Sequence, residues 1–266
     1  MSEFTYNNQS VTLNYFEGPK NGSPVLLIHG NMGRWQNFSP VIEELSKTRS
    51  VFAVDLRGHG KSSHVPNSYL LKTHFADIAL FIKERINEPV TLVGFSLGGM
   101  IALMYAAYYP ELVQQLIVLE PPLTLKTLSS IITGQKEFLD RLEYYRQTNQ
   151  IEQLYKEIND DSVSIGMSLC DPGIFDITVN QYEKMIEGFD IEQLIPLIKC
   201  SSLLLYGEMS LGSMIAEDDI NLLKNVAPQF RIKQITGLGH SMLTDKRVIA
   251  LLLNEVAEIE ELESAS

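Results

Sequence analysis

Two cysteines in 266 residues, Cys170 and Cys200, are too few for a disulfide framework. No cysteine–histidine spacing and no HExxH marks a metal site, and no G-x-G-x-x-G marks a dinucleotide fold, so neither metal nor cofactor is expected. Positive charge is also short. Against 33 Asp and Glu stand 21 Lys and Arg, a formal charge of −12 that would repel nucleic acid and anionic lipid alike. The opening MSEFTYNNQSV has neither the basic start nor the apolar core of a secretion signal, which makes the cytoplasm the default expectation. Only one stretch is long enough to cross a bilayer, the uncharged run between Pro89 and Pro110, and Gly94 and Gly98 inside it argue against a span. The expected partner is therefore a small molecule, with no nucleic acid and no membrane, and self-association is left open.

What is present is an alternation. PVLLIHG, SVFAVDLRGHG, VTLVGFS, QQLIVLE and SSLLLYG are short β-branched and leucine-rich runs that end in polar or glycine punctuation, as strands buried on both faces do. Amphipathic helices are expected between them, at Phe38 to Ser46, Leu70 to Ile86, Leu97 to Tyr109 and Ala216 to Val226. This pattern predicts an α/β fold with a mostly parallel sheet flanked by helices. FTYNNQSVTLNYFEG adds an antiparallel hairpin at one edge, QFRIKQITG a last strand, and Asp245 to about Glu263 a closing helix. The acidic tail NEVAEIEELESAS reads as the solvated end of that helix. From Pro121 to Lys199 the alternation stops and only helical patterns remain. Residues 121–199 are therefore expected to form an inserted helical cap, with 1–120 and 200–266 as the core.

Within the uncharged run, Val90 to Gly94 reads as a strand and Leu97 to Tyr109 as a helix, with GFSLG as the only turn between them. By itself G-x-S-x-G recurs by chance in roughly one chain in ten of this length. Placed on a strand–turn–helix, it becomes a sharp elbow that lifts the Ser96 hydroxyl above the sheet. The plain alternative is a serine that only caps the helix. A nucleophilic hydroxyl needs a base. Among five histidines, His240 in ITGLGHSML follows the last strand on a glycine-freed loop. His29 and His59 suit loop packing, and His64 and His74 have no supporting neighbours. An oxyanion needs donors, and the Leu97 amide at the helix N-terminus supplies one. HGNMG supplies a second, from Asn31 or, close behind it, Met32. Each donor would contribute about 2.7–4 kcal/mol of transition-state stabilisation. DLRGHGKSS is a poor phosphate loop, since Asp55 falls where its first glycine belongs.

HGNMG, DLRGHGKSS, GFSLGG and GLGHS, in this order and across most of the chain, resemble the α/β-hydrolase fold family. The resemblance implies an eight-stranded sheet with a helical cap over the site, and Ser96 and His240 fall on its nucleophile and base positions. One motif departs from the family. Where strand 7 is usually followed by G-x-x-D, LLLYGEMSLG has Ser210. A serine cannot stabilise an imidazolium. Glu120 in VLEPP ends the neighbouring strand, about 4.8 Å away, and an acid there is similar to that of haloalkane dehalogenases. Glu208, Asp218 and Asp219 are the other candidates.

These residues predict a serine hydrolase, acting through an acyl-enzyme on a small to medium apolar carboxylic ester. The cap's Leu123, Leu128, Phe138, Tyr144, Tyr145, Phe175, Tyr182, Met185 and Phe189 would supply an apolar wall. The alternatives are C–C bond, lactone or thioester hydrolysis on the same triad, or a ligand-sensing receptor with little turnover.

Overall fold

The computed structural model describes residues 2–158 and 161–264. Its eight strands are β1 (Ser2–Asn7), β2 (Thr12–Glu17), β3 (Pro24–Ile28), β4 (Ser50–Val54), β5 (Val90–Phe95), β6 (Val113–Leu119), β7 (Ser201–Tyr206) and β8 (Arg231–Gln234). They form one sheet in the order β1-β2-β4-β3-β5-β6-β7-β8. The hairpin β1–β2 and the β2–β4 pair are antiparallel, and every other pairing is parallel. Asn8 makes the hairpin turn: its side-chain oxygen accepts from the Ser10 and Val11 amides.

Helices cover both faces because the central strands are apolar on both. They are α1 (Ser39–Leu45), α2 (Leu71–Phe81), α3 (Leu97–Tyr108), α4 (Leu125–Gln147), α5 (Ile151–Ile158), α6 (Asp161–Leu169), α7 (Pro172–Val179), α8 (Tyr182–Met185), α9 (Ile191–Leu194), α10 (Glu217–Val226) and α11 (Lys246–Ser264). Every residue of β3 is buried, and the core divides into one cluster on each side of the sheet. Helix α3 explains the uncharged run. It is buried from Leu97 to Ala107, inside the larger cluster, so no position in that stretch has water to solvate a charge. No helix among the described residues is long and apolar enough to cross a membrane.

Between β6 and β7 the described residues contain helices and no strand. The continuous pattern FLDRLEYYRQTNQIEQLYKEI is broken into α4 and α5 at Asn149, which takes a left-handed φ of 56°. Helix α2 likewise ends at Phe81, and the five residues Ile82–Ile86 continue it as a π-turn closed by Asn87 at φ 54°.

Candidate active site

The parallel strands bring their C-terminal ends to one edge of the sheet, and the loops after β3, β5, β6 and β8 meet there. After β5 the chain reverses at Ser96, whose φ of 53° and ψ of −119° lie outside the regions favoured by L-residues. The strain is held by close packing. The Ser96 amide donates to the Leu119 carbonyl at 2.8 Å, and the Ser96 carbonyl accepts from Gly99 and Met100 to start α3. A Cβ on Gly98 would sit 2.1 Å from the Ile28 carbonyl oxygen, and one on Gly94 would sit 2.4 Å from that of Gly98. Both glycines are therefore required by the elbow. The Ser96 side chain makes no capping hydrogen bond, so the hydroxyl is not engaged as a helix cap.

The turn after β3 closes with Gly33 donating to the Gly30 carbonyl at 3.1 Å and Met32 at φ 57°. A Cβ on Gly30 would lie 2.8 Å from Ser96 Cβ, which puts this turn directly against the elbow. Neither the Asn31 nor the Leu97 amide donates to a protein acceptor among the described residues. Below the turn, buried His29 accepts from the Leu56 amide through Nε2 and faces the Gly30 carbonyl through Nδ1. Burial pushes its pKa down to about 4, opposed by the Gly30 hydrogen bond. His59 is also buried, and burial first, then the neighbouring His29, lowers it to about 3. Both are neutral structural groups.

Glu120 ends β6 at φ 52°, fully buried. Its Oε1 accepts from the Gly207 amide at 2.6 Å and Ser213 Oγ at 2.8 Å, and its Oε2 from the Met214 amide at 2.6 Å. His240 Nδ1 lies 3.3 Å from the same Oε2. Burial alone would raise this carboxyl. The His240 hydrogen bond and charge, with the Met214 and Gly207 amides, outweigh it and hold Glu120 below its ordinary value. The His240 ring also packs on Phe95, with centroids 4.8 Å apart and planes 31° from parallel.

The other acids have different work. Glu208 accepts from the Gly237 amide at 2.7 Å, and its own amide donates to the Leu238 carbonyl, so it holds the loop that carries His240. Asp218 pairs with Lys126 on the surface. Asp219 is buried and accepts from Thr124 Oγ1 and the Ala216 amide, capping α10. Ser210, in the slot an aspartate would fill, is exposed.

Ser96, Leu97, Asn31, Met32 and His240 line one cavity of about 240 Å³. Its opposite wall is apolar and comes from α4, α7 and α8: Leu128, Ile132, Leu139, Val179, Tyr182 and Met185 among others. Of the cap residues singled out from the sequence, Leu128, Tyr182 and Met185 face the cavity. Among the described residues, no Asp, Glu, Lys or Arg lines it. Ser96 and His240 thus face the same space, although no hydrogen bond joins their side chains among the described residues. In unliganded sites such contacts are often long and tighten with substrate. Sequence reasoning missed Ser213, Phe95 and Thr178; Ser213 and Thr178 belong to no motif, and Phe95 fills a variable position of GFSLG.

Comparison with known proteins agrees with this fold. The sequence model of the alpha/beta hydrolase fold matches residues 23–158, just over half of the chain. A serine hydrolase-like protein of Danio rerio is 29% identical over 137 residues, which are 50% of this chain and 42% of that protein. A Haemophilus influenzae protein, named provisionally as an esterase/lipase, is 28% identical over 257 residues, 88% of this chain and 84% of its own. The solved structure of E-2-(acetamidomethylene)succinate hydrolase superposes with a TM-score of 0.75 at 19% identity, covering 96% of this chain and 99% of that one. The matched region spans less than half the length of several curated relatives, the Danio rerio protein included.

Proposed function

The chain belongs to the α/β-hydrolase fold family, and from that premise we propose that it is a serine hydrolase acting on small to medium apolar carboxylic esters. Ser96 Oγ attacks the carbonyl carbon while His240 takes its proton. The carbonyl electron pair moves onto oxygen, which the Leu97 and Asn31 amides receive. The intermediate collapses as His240 gives the proton to the leaving alkoxide. Water then repeats the sequence on the acyl-enzyme, releasing the acid and restoring Ser96. Glu120 orients the imidazole and stabilises its protonated form. The helices at 121–199 act as a cap that shapes the acyl pocket.

The observation that carries this reading is the shared cavity: Ser96, Asn31 and His240 border one apolar space, with a buried carboxylate behind the imidazole. A space of about 240 Å³ without a charged wall favours a short, uncharged acyl group. Thioesters, lactones and β-diketones are open to the same machinery, and a substrate series separates them. Turnover of p-nitrophenyl acetate and butyrate tests the proposal, with sustained release expected from the parent protein and none above background from Ser96→Ala. Binding without sustained release would instead fit a ligand sensor and reject the enzyme.

A further inference from the structure

The turn that carries the Asn31 amide is gripped from two sides. On the core side, neutral His59 gives its one N–H to the Arg57 carbonyl through Nδ1 at 2.9 Å, so its Nε2, 3.2 Å from Asn31 Oδ1, packs against that side chain without donating to it. On the helical side, Asn31 Nδ2 donates to Thr178 Oγ1 at 2.9 Å, and Thr178 in turn donates to the Ile174 carbonyl one turn back in α7. A third contact is steric. Helix α6 rests on the turn so closely that a Cβ on Gly166 would lie 2.2 Å from the Met32 carbonyl oxygen. The α6–α7 junction is in turn fastened to the core, since the Asp171 amide donates to the Gly58 carbonyl at 2.8 Å.

An oxyanion donor works only if it is aimed at the point where charge develops and stays there during the reaction. A short loop with one left-handed residue does not guarantee this by itself. The Asn31 side chain spans from the turn to α7, so the direction of its own backbone N–H is fixed by the helix it reaches. We propose that Asn31 is a tether between the turn and α7, and that Thr178 is the positioning residue holding its N–H in donor geometry for the tetrahedral intermediate. The inference rests on the serine-hydrolase reading above. Its consequence is that the cap sets the rate of the chemical step as well as the shape of the acyl pocket.

Thr178→Val keeps the side chain's shape and removes the acceptor, while Asn31→Ala removes the tether and leaves the backbone amide in place. Each is expected to lower kcat on p-nitrophenyl butyrate at least tenfold with KM within threefold of the parent. Thr178→Ser, which keeps the hydroxyl, should stay within threefold in kcat. A second readout uses a trifluoromethyl ketone. Ser96 Oγ adds to its carbonyl carbon, the carbonyl electron pair moves to oxygen, and the serine proton passes to His240, giving an adduct that depends on the oxyanion donors. The corresponding secondary alcohol does not depend on them. Both variants should weaken the ketone at least tenfold and the alcohol less than twofold.

Retention of kcat within threefold by either folded variant overturns the tether. So does a loss expressed mainly in KM, equal weakening of ketone and alcohol, or failure of Thr178→Ser to retain activity. If one variant does not fold, the other decides. A parent protein that neither turns over the ester nor reacts at Ser96 with a fluorophosphonate defeats the serine-hydrolase reading and the tether with it. An active parent with unaffected variants defeats the tether alone.

Discussion

Acid should unfold this protein through three histidines that play no part in the proposed chemistry. His29, His59 and His74 are each fully buried, with His29 and His59 ring centroids 5.2 Å apart and those of His59 and His74 6.0 Å apart. Burial pushes His29 down to about 4 and His59 to about 3, and it holds His74, with charge from His59, Arg57 and His29, well below its ordinary value. In the unfolded chain all three titrate near ~6.5. Below that pH the unfolded state binds more protons than the native state, so stability is full above it and is lost as pH falls towards the folded values. Between pH 6.5 and 5 each group removes about 1.6 kcal/mol, about 5 kcal/mol in total, a large part of the ~5–15 kcal/mol that holds a domain folded. Asp55 acts with the opposite sign, because burial raises its carboxyl and the native state takes up that proton first. Arg57 is ion-paired with Asp77 at 2.5 Å. Urea unfolding at pH 7, 6.5, 6, 5.5 and 5 measures the loss. His74 offers the control, since neither of its ring nitrogens has a hydrogen-bond partner among the described residues. His74→Leu, of similar volume, should reduce the acid loss by about one third whatever it does to stability at pH 7. A parent loss below about 2 kcal/mol, or an unchanged slope in His74→Leu, would refute the reasoning.

Glu120→Gln should lower kcat by up to about 10⁴-fold with KM little changed, as removal of the charge behind a catalytic imidazole does elsewhere; steady-state kinetics showing less than a tenfold fall would reject Glu120 as the triad acid. Gly98→Ala drives a Cβ to 2.1 Å from the Ile28 carbonyl, so thermal melts should show a loss of more than about 3 kcal/mol or no folded protein. Gly134→Ala, in the middle of α4 with nothing within 4 Å of the new Cβ, should instead gain up to about 1 kcal/mol.

The strands were legible because buried parallel strands need nearly continuous apolar runs, and runs such as PVLLI and LIVL have no other economical use. The elbow was legible for a related reason: two glycines around a serine are needed only where backbone atoms nearly touch. The surroundings of Glu120 were not. Gly207 and Met214 contribute backbone amides, which leave no trace in a sequence, and Ser213 reaches Glu120 across 93 positions from inside a loop without a motif. Asn31 was singled out for its backbone amide in the turn after β3. Its side-chain link to Thr178 was hidden because it depends on how α7 lies over the core, and helical periodicity does not report that.

The proposed position of the triad acid has a physical logic of its own. A carboxylate behind an imidazole must be buried to be rigid, and a buried carboxylate must be hydrogen-bonded to stay ionised. At the end of β6 the left-handed Glu120 turns its side chain towards β7, and the loop after β7 wraps it with two amides and one hydroxyl before His240 arrives. That loop would ordinarily carry the acid; here it carries the donors, and its Ser210 faces solvent. The exchange is self-consistent. A second carboxylate brought into the same pocket would raise the pKa of one of the two and leave the imidazole no better supported. The longer glutamate on one strand and the donor-rich loop on the next, whose own Glu208 accepts from the Gly237 amide, therefore form one solution, in which each departure from the usual motif accounts for the other.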